Sequence, residues 1–340
     1  MHDFYSDTKT KPTREMREFS LHCEVGDEQQ GEDPTTSELC ARVATLLGKE
    51  AAVFLPSGTM CNAIAVNLHT QPSDEIIAEQ SCHIINSESG GPAVISGVMI
   101  RPIQGLNGVF SADQVLESLR PTSRHTPRSA LLCVEQTANF GGGTVWPLQR
   151  LEEVAVVAKD AGLATHMDGA RLMNAVVKTG IEAAQYAARF DSVWIDFSKG
   201  LGAPVGAVLA GSQEFIARAW RLKQMLGGGM RQSGVIASMC MYALDHHVER
   251  LAADHELAAS LGAEIANLPL VSNVLPVETN IVIFDLADEA PPAAELVDGM
   301  RRNGVIIGTF GENRIRVVTH LDVDMASGQA LMRCLQEYLA

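Results

Sequence analysis

Val193-Trp194-Ile195-Asp196-Phe197-Ser198-Lys199-Gly200-Leu201-Gly202-Ala203-Pro204-Val205-Gly206 is the stretch that decides how the chain is read. Val193–Phe197 has the composition of a buried strand, and a lysine follows two residues later among glycines. Lysine rarely occupies so enclosed a position. Lost hydration there makes its ammonium easier to deprotonate, as a Schiff-base nucleophile requires. Only seven lysines occur, and Lys9, Lys11, Lys49, Lys159, Lys178 and Lys223 read as polar or helix-surface positions. Lys199 is therefore the reactive candidate. Its glycines do not make a dinucleotide turn, because their spacing is GxGxxxG and Val205–Ala210 reads as strand instead of helix.

Outward from that strand the same cadence repeats. Ala52–Leu55, Glu75–Ala78, Val98–Ile103, Ala130–Glu135, Leu163–Met167 and Ala207–Ala210 read as further strands. Ser37–Leu47, Met60–Leu68, Ala112–Ser118, Leu148–Asp160 and Ala183–Ala188 read as the helices between them. Such alternation implies an α/β fold with a mostly parallel sheet covered on both faces. Pro72, Pro121 and Pro147 fall at the joints. Beyond Ala210, Glu214–Met225 and Gly234–Leu261 read as long helices. The chain then runs strand Asn280–Leu286, helix Ala293–Arg302, strands Val305–Thr309 and Arg314–Thr319, and helix Met325–Leu339. This is the cadence of a smaller α/β domain, so residues 1–248, with an N-terminal arm, are expected to form a large domain and 249–340 a small one.

Composition narrows the class. The 340 residues carry 26 basic and 41 acidic side chains, a net charge of −15, which argues against nucleic-acid or anionic-membrane partners. Hydrophobic residues make up 46%, enough for a buried core, and the longer apolar runs are too short to span a bilayer. Met1–Lys11 is polar, without an apolar signal core. Seven scattered cysteines without CxxC spacing fit a reduced, cytoplasmic setting. No HExxH or Walker lysine appears, His320 and Asp322 lack ligand spacing, and no metal is expected. His246-His247 reads as a solvated helix face.

Ligands of open parallel sheets bind at the carboxyl ends of the strands. Pro56-Ser57-Gly58-Thr59 follows one strand and opens a helix, a phosphate cradle or else an ordinary N-cap. Asp168-Gly169-Ala170-Arg171 follows another, a ligand-facing carboxylate or else a structural ion pair. With Lys199 these are the parts that hold pyridoxal 5'-phosphate: a cradle, an attachment lysine, and a carboxylate that keeps the pyridine nitrogen protonated. His83, after a further strand, is the candidate to cover the ring.

In this order the motifs resemble the threonine aldolases, of the beta-eliminating lyase group of fold type I pyridoxal-phosphate enzymes. The resemblance runs through Ser6-Asp7-Thr8, Gly31-Glu32-Asp33-Pro34, Leu55–Met60, His166–Arg171, Ser198–Gly206, Gly227–Gln232 and Arg316–His320. It implies the aspartate-aminotransferase-like fold and a lyase releasing glycine and an aldehyde from a β-hydroxy-α-amino acid such as L-threonine or L-allo-threonine. It implies Lys199 and His83 as catalytic residues. Ser57, Gly58, Thr59, His83, Asp168, Arg171, Lys199 and Arg231 would contact the cofactor, Arg231 across a subunit interface of a homotetramer, a dimer of dimers. Ser6, Arg171 and Arg316 would contact the substrate.

Three positions depart from the family pattern. Gln30 and Ser87 stand in segments where tyrosine is usual, and Ala138 stands where a histidine would approach the substrate hydroxyl. The cofactor half of the site is thus retained while the substrate half is altered. A shifted substrate, another pyridoxal-phosphate reaction (β-elimination, racemisation or transamination), or a catalytically silent homologue are the alternatives.

Overall fold

The β-branched and leucine-rich runs form a seven-stranded sheet in the computed structural model, which describes residues 1–339. Its strands are β1 (Ala51–Leu55), β2 (Glu75–Glu79), β3 (Met99–Ile103), β4 (Ser129–Glu135), β5 (Ala164–Gly169), β6 (Ser192–Asp196) and β7 (Ala207–Gly211). Their order across the sheet is β1-β7-β6-β5-β4-β2-β3, and β7 alone runs antiparallel to its neighbours. The interior strands β2, β6 and β7 are buried along their whole length, as a sheet covered on both faces requires. Pro102 lies in β3, an edge strand, where its missing N–H leaves no ladder bond unmade.

A second sheet is antiparallel throughout: β8 (Val271–Val274), β9 (Ile281–Leu286), β10 (Gly308–Thr309) and β11 (Arg314–Val318), in the order β10-β11-β9-β8. Two apolar cores follow from the two sheets. Leu132, Val134, Trp146, Val154 and Phe197 belong to the larger, and Leu257, Phe284, Leu296, Ile315 and Leu335 to the smaller.

Three readings of the sequence need correction. Gly234–Leu261 is not one helix: Gly234–His246 and Leu251–Ile265 are separate, with the break at 247–250. His247, expected on a solvated face, is buried there, its Nδ1 2.7 Å from the Leu201 carbonyl oxygen. Val305–Thr309 is two strands: Val305–Ile306 pairs in parallel with His2–Asp3, and Gly308–Thr309 joins β11. The N-terminal arm therefore threads into the smaller unit, where Phe4 enters the core.

The Gly31-Glu32-Asp33-Pro34 motif is a junction of loops. Asp33 caps helix Pro34–Leu46 by accepting from Thr36 N at 2.8 Å, with Pro34 in the first turn. Its Oδ2 also accepts from Gly26 N and Gly234 N, so one buried carboxylate ties three chain segments.

Candidate active site

A cavity of about 320 Å³ opens at the carboxyl ends of β1, β2, β4, β5 and β6. Gly58, Thr59, His83, Asp168, Arg171 and Lys199 line it from the large sheet, Ser6 from the N-terminal arm and Arg316 from β11. Residues scattered from 6 to 316 thus converge on one space.

Each wall has a local cause. Ser57 ends the extended approach from β1, and its Oγ accepts from Met60 N at 3.2 Å. Ser57 Oγ serves as the N-cap of that helix, and Ser57 is not among the residues that line the cavity. Gly58 is needed for space: a Cβ there would stand 2.1 Å from Trp194 Cη2. The helix N-terminus it opens presents backbone N–H groups and a positive dipole end to the cavity.

Lys199 Nζ lies 3.0 Å from Asp196 Oδ2 and 5.5 Å from the centre of the Trp194 ring. Its carbonyl accepts from Thr10 Oγ1 at 2.8 Å, which ties the arm to the glycine-rich turn. Asp168 is the last residue but one of β5 and is buried; its Oδ1 accepts from Ala170 N and its Oδ2 from Asn62 Nδ2 at 2.8 Å. His83 Nδ1 is 2.8 Å from Glu88 Oε1, and its backbone N–H donates to Glu135 Oε2 at 2.7 Å. Burial opposes charge on His83, but Glu88, Asp168 and Glu135 outweigh it and raise its pKa above the ordinary imidazole value. His83, Glu88 and Asp168 bring ligand-type atoms within 4.8 Å of one another, each already bonded to protein partners.

Arg171 and Arg316 divide the labour. Arg171 is buried and donates to both oxygens of Asp7, so it is largely committed within the protein. Its Nη1 reaches Asn139 Oδ1 at 3.2 Å. Burial would raise the Asp7 carboxyl, yet the facing guanidinium holds it well below the ordinary carboxylate range. Arg316 Nε is buried and has no hydrogen-bond partner among the described residues. Burial, together with the neighbouring Arg171 charge, lowers its pKa to about 10. A half-buried cation whose enclosed Nε has an unmet donor is a socket for a small anion. Ser6 Oγ, beside it in the cavity wall, accepts from Thr8 N and Thr8 Oγ1 and keeps its own proton to donate.

Arg231 stands outside the cavity, exposed and paired with Asp27. Gln30 and Ala138 do not line it either, whereas Ser87 does. Lys223, read as a surface lysine, is completely buried and ion-paired to Glu28 at 2.7 Å. Its helix turns that position inward against Glu28, whose other bonds go to Met230 N and Ser233 Oγ.

Glu135, Asp196, Asn139, Phe140 and Trp194 were not among the expected site residues. Glu135 and Asp196 are the last residues of β4 and β6, whereas the sequence reading placed both within strands, so a search just past the strand ends did not reach them. Glu135 is the register partner of Asp168 on the adjacent strand. Burial and that neighbouring charge push its carboxyl up to about 7.

The family model described as beta-eliminating lyase matches residues 3–289. The low specificity L-threonine aldolase of Escherichia coli O157:H7 is 39% identical over 324 residues, 95% of each chain. Among solved structures, the Leishmania major threonine aldolase superimposes with a TM-score of 0.85 at 21% identity, over 100% of both chains. A structure of SPT with its PLP internal aldimine superimposes with a TM-score of 0.72 at 16% identity, over 98% of this chain and 85% of that one. The aspartate-aminotransferase-like, fold type I architecture expected from the sequence is the one present.

Proposed function

This chain belongs to the beta-eliminating lyase family, in its threonine aldolase group, and from that premise we propose that it cleaves L-threonine, L-allo-threonine or a related β-hydroxy-α-amino acid to glycine and an aldehyde, using pyridoxal 5'-phosphate. The observation that carries this reading is the convergence of Lys199, Asp168 and the unpartnered Arg316 on one cavity.

The donor set fits the cofactor. Lys199 offers the attachment amine, Gly58 and Thr59 the N–H groups for the phosphate, Asp168 the carboxylate for the ring nitrogen, and His83 the imidazole for the ring face. When bound, pyridoxal phosphate supplies an electron sink for the bond broken at the amino acid's α-carbon. Arg316 and Ser6 grip the α-carboxylate and so fix which substituent of that carbon is presented for cleavage. The reaction balances as loss of the β-hydroxyl proton, breakage of Cα–Cβ, and gain of one proton at Cα.

The assembly reading is a homotetramer, a dimer of dimers, in which Arg231 completes a neighbour's phosphate site; its exposure and its place outside its own cavity support this. Seven free cysteines support a cytoplasmic setting. Among the described residues no helix is long and apolar enough to cross a membrane. A domain boundary at 248/249 is supported by the separate cores and by the helix break at 247–250.

Incubating the cofactor-loaded protein with L-threonine and L-allo-threonine tests the proposal. Glycine and acetaldehyde in equal amounts are expected. Oxo acid and ammonia without glycine, or no product from any β-hydroxy amino acid, would overturn it.

A further inference from the structure

Asn62 is buried on the helix Gly58–His69, and its amide joins the two groups assigned to the cofactor ring. Trp194 Nε1 can only donate, and it lies 2.7 Å from Asn62 Oδ1. That contact fixes which way the amide is turned. The Nδ2 group then donates to Asp168 Oδ2 at 2.8 Å and to Glu88 Oε1 at 2.7 Å. Glu88 Oε1 is in turn 2.8 Å from His83 Nδ1. One NH₂ group therefore spends both protons on the carboxylate that faces the cavity and on the carboxylate that holds the imidazole.

The orientation propagates outward. His166 Nε2 is 3.1 Å from Asn62 Oδ1, an acceptor, so it must carry the proton. Its Nδ1 then accepts from Ser192 Oγ at 2.8 Å. The serine proton being used, Ser192 Oγ accepts from His69 Nε2, also at 2.8 Å. Every donor in the series His69, Ser192, His166, Asn62 points toward Asp168. Burial pushes His166 down to about 3 and His69 down to about 4, so both rings are neutral near neutral pH, as a one-way series needs.

We propose that Asn62 is the positioning residue of the cofactor site, setting Asp168 directly and His83 through Glu88, with the His69–Ser192–His166 series locking its orientation. The proposal rests on the pyridoxal-phosphate reading above. It adds a requirement that the cavity-lining residues alone do not state: Asp168 and His83 must be fixed by one group, because neither has another side-chain donor that links them.

The test is a titration of the apoprotein with pyridoxal phosphate, followed by visible absorbance, beside thermal melting of the apoprotein. Asn62→Asp keeps the size of the side chain and accepts the same donors from Trp194 and His166, but it sets a third carboxylate against Asp168 and Glu88. A rise of at least about tenfold in the Kd for pyridoxal phosphate is expected, with the apoprotein still melting cooperatively. If this variant does not fold, Ser192→Ala interrupts the series at a small side chain, and a Kd raised about threefold or more is expected from it. A Kd within about twofold of wild type in folded Asn62→Asp, or in Ser192→Ala where that variant is the one read, overturns the proposal. Wild-type protein that takes up no pyridoxal phosphate is a different result: it overturns the reading of the site and this inference with it.

Discussion

Arg171 and Asp7 face each other through two parallel hydrogen bonds of 2.7 Å, Nε to Oδ2 and Nη2 to Oδ1, with both side chains buried. The pair joins the N-terminal arm to the turn after β5. Asn280 Nδ2 adds a third contact to Asp7 Oδ2 at 3.0 Å, which brings in the smaller unit. Its consequence for the site is a separation of roles. Arg171 has its charge answered inside the protein, whereas the charge of Arg316 is left for the ligand.

Removing one side of that pair leaves an uncompensated buried charge. Asp7→Asn is expected to destabilise the apoprotein by about 3–5 kcal/mol, because Arg171 is then repelled by Arg316 without compensation. The double variant Asp7→Leu/Arg171→Met removes both charges and should recover most of the loss. Urea unfolding of the apoproteins measures both; a single variant as stable as wild type would contradict the buried-pair account.

Arg316 supplies the second prediction. Arg316→Lys keeps the charge but loses the planar fork that meets a carboxylate with two parallel bonds. One charge-assisted hydrogen bond is worth about 1.5–3 kcal/mol, so the Kd for glycine should rise about tenfold to a hundredfold. Cofactor affinity should not move, since Arg316 belongs to the substrate end. Spectral titration with glycine and, separately, with pyridoxal phosphate distinguishes the two.

Legibility in the sequence followed chain position. Lys199 and Asp168 could be read because they stand just past apolar strands, where a parallel sheet opens to its ligand. Arg316 lies within β11 of the other sheet, and only the family resemblance singled it out. Asn62 and Trp194 sit in the interior of regular elements, where a polar or aromatic residue looks like ordinary packing. Lys223 was misread because the residue that compensates its charge, Glu28, is remote in sequence. His247 was misread for a related reason, since its acceptor is a backbone carbonyl that no pattern reveals.

Ala138 is the position where the resemblance suggests a histidine, and the structure accounts for its size. A Cβ on Gly108 would come within 2.3 Å of the Ala138 Cβ, and one on Gly141 within 3.1 Å. The methyl group is therefore enclosed by glycine backbone and faces the 106–109 turn instead of the cavity. Ala138→His is expected to destabilise the protein by about 1–3 kcal/mol through overpacking. The ratio of cleavage rates for L-threonine and L-allo-threonine should stay unchanged. Melting midpoints and that ratio decide it, and a changed ratio at unchanged stability would show that the imidazole reaches the substrate.

Acid sensitivity provides the last prediction. Burial lowers His247 and, furthest from 6.5, three other histidines: His69 to about 4, His166 to about 3 and His255 to about 4. Between pH 6 and 5 these rings take up protons in the unfolded chain but not in the folded one. Their stabilisation is thus present above pH 6.5 and is lost as pH falls. Glu135 opposes them, because its folded value of about 7 lies above its unfolded 4.5, so there the folded state binds the extra proton. His83, raised in the folded state, is protonated in both states across this window and contributes little. The unfolded state therefore binds about two protons more, and apoprotein stability should fall by about 2–3 kcal/mol per pH unit. His166→Asn, which can still donate to Asn62, removes one of those protons and should reduce the slope by about 1.4 kcal/mol per pH unit. Urea unfolding at pH 6.0, 5.5 and 5.0 checks it; a slope unchanged in His166→Asn would mean that this ring is already protonated in the folded protein.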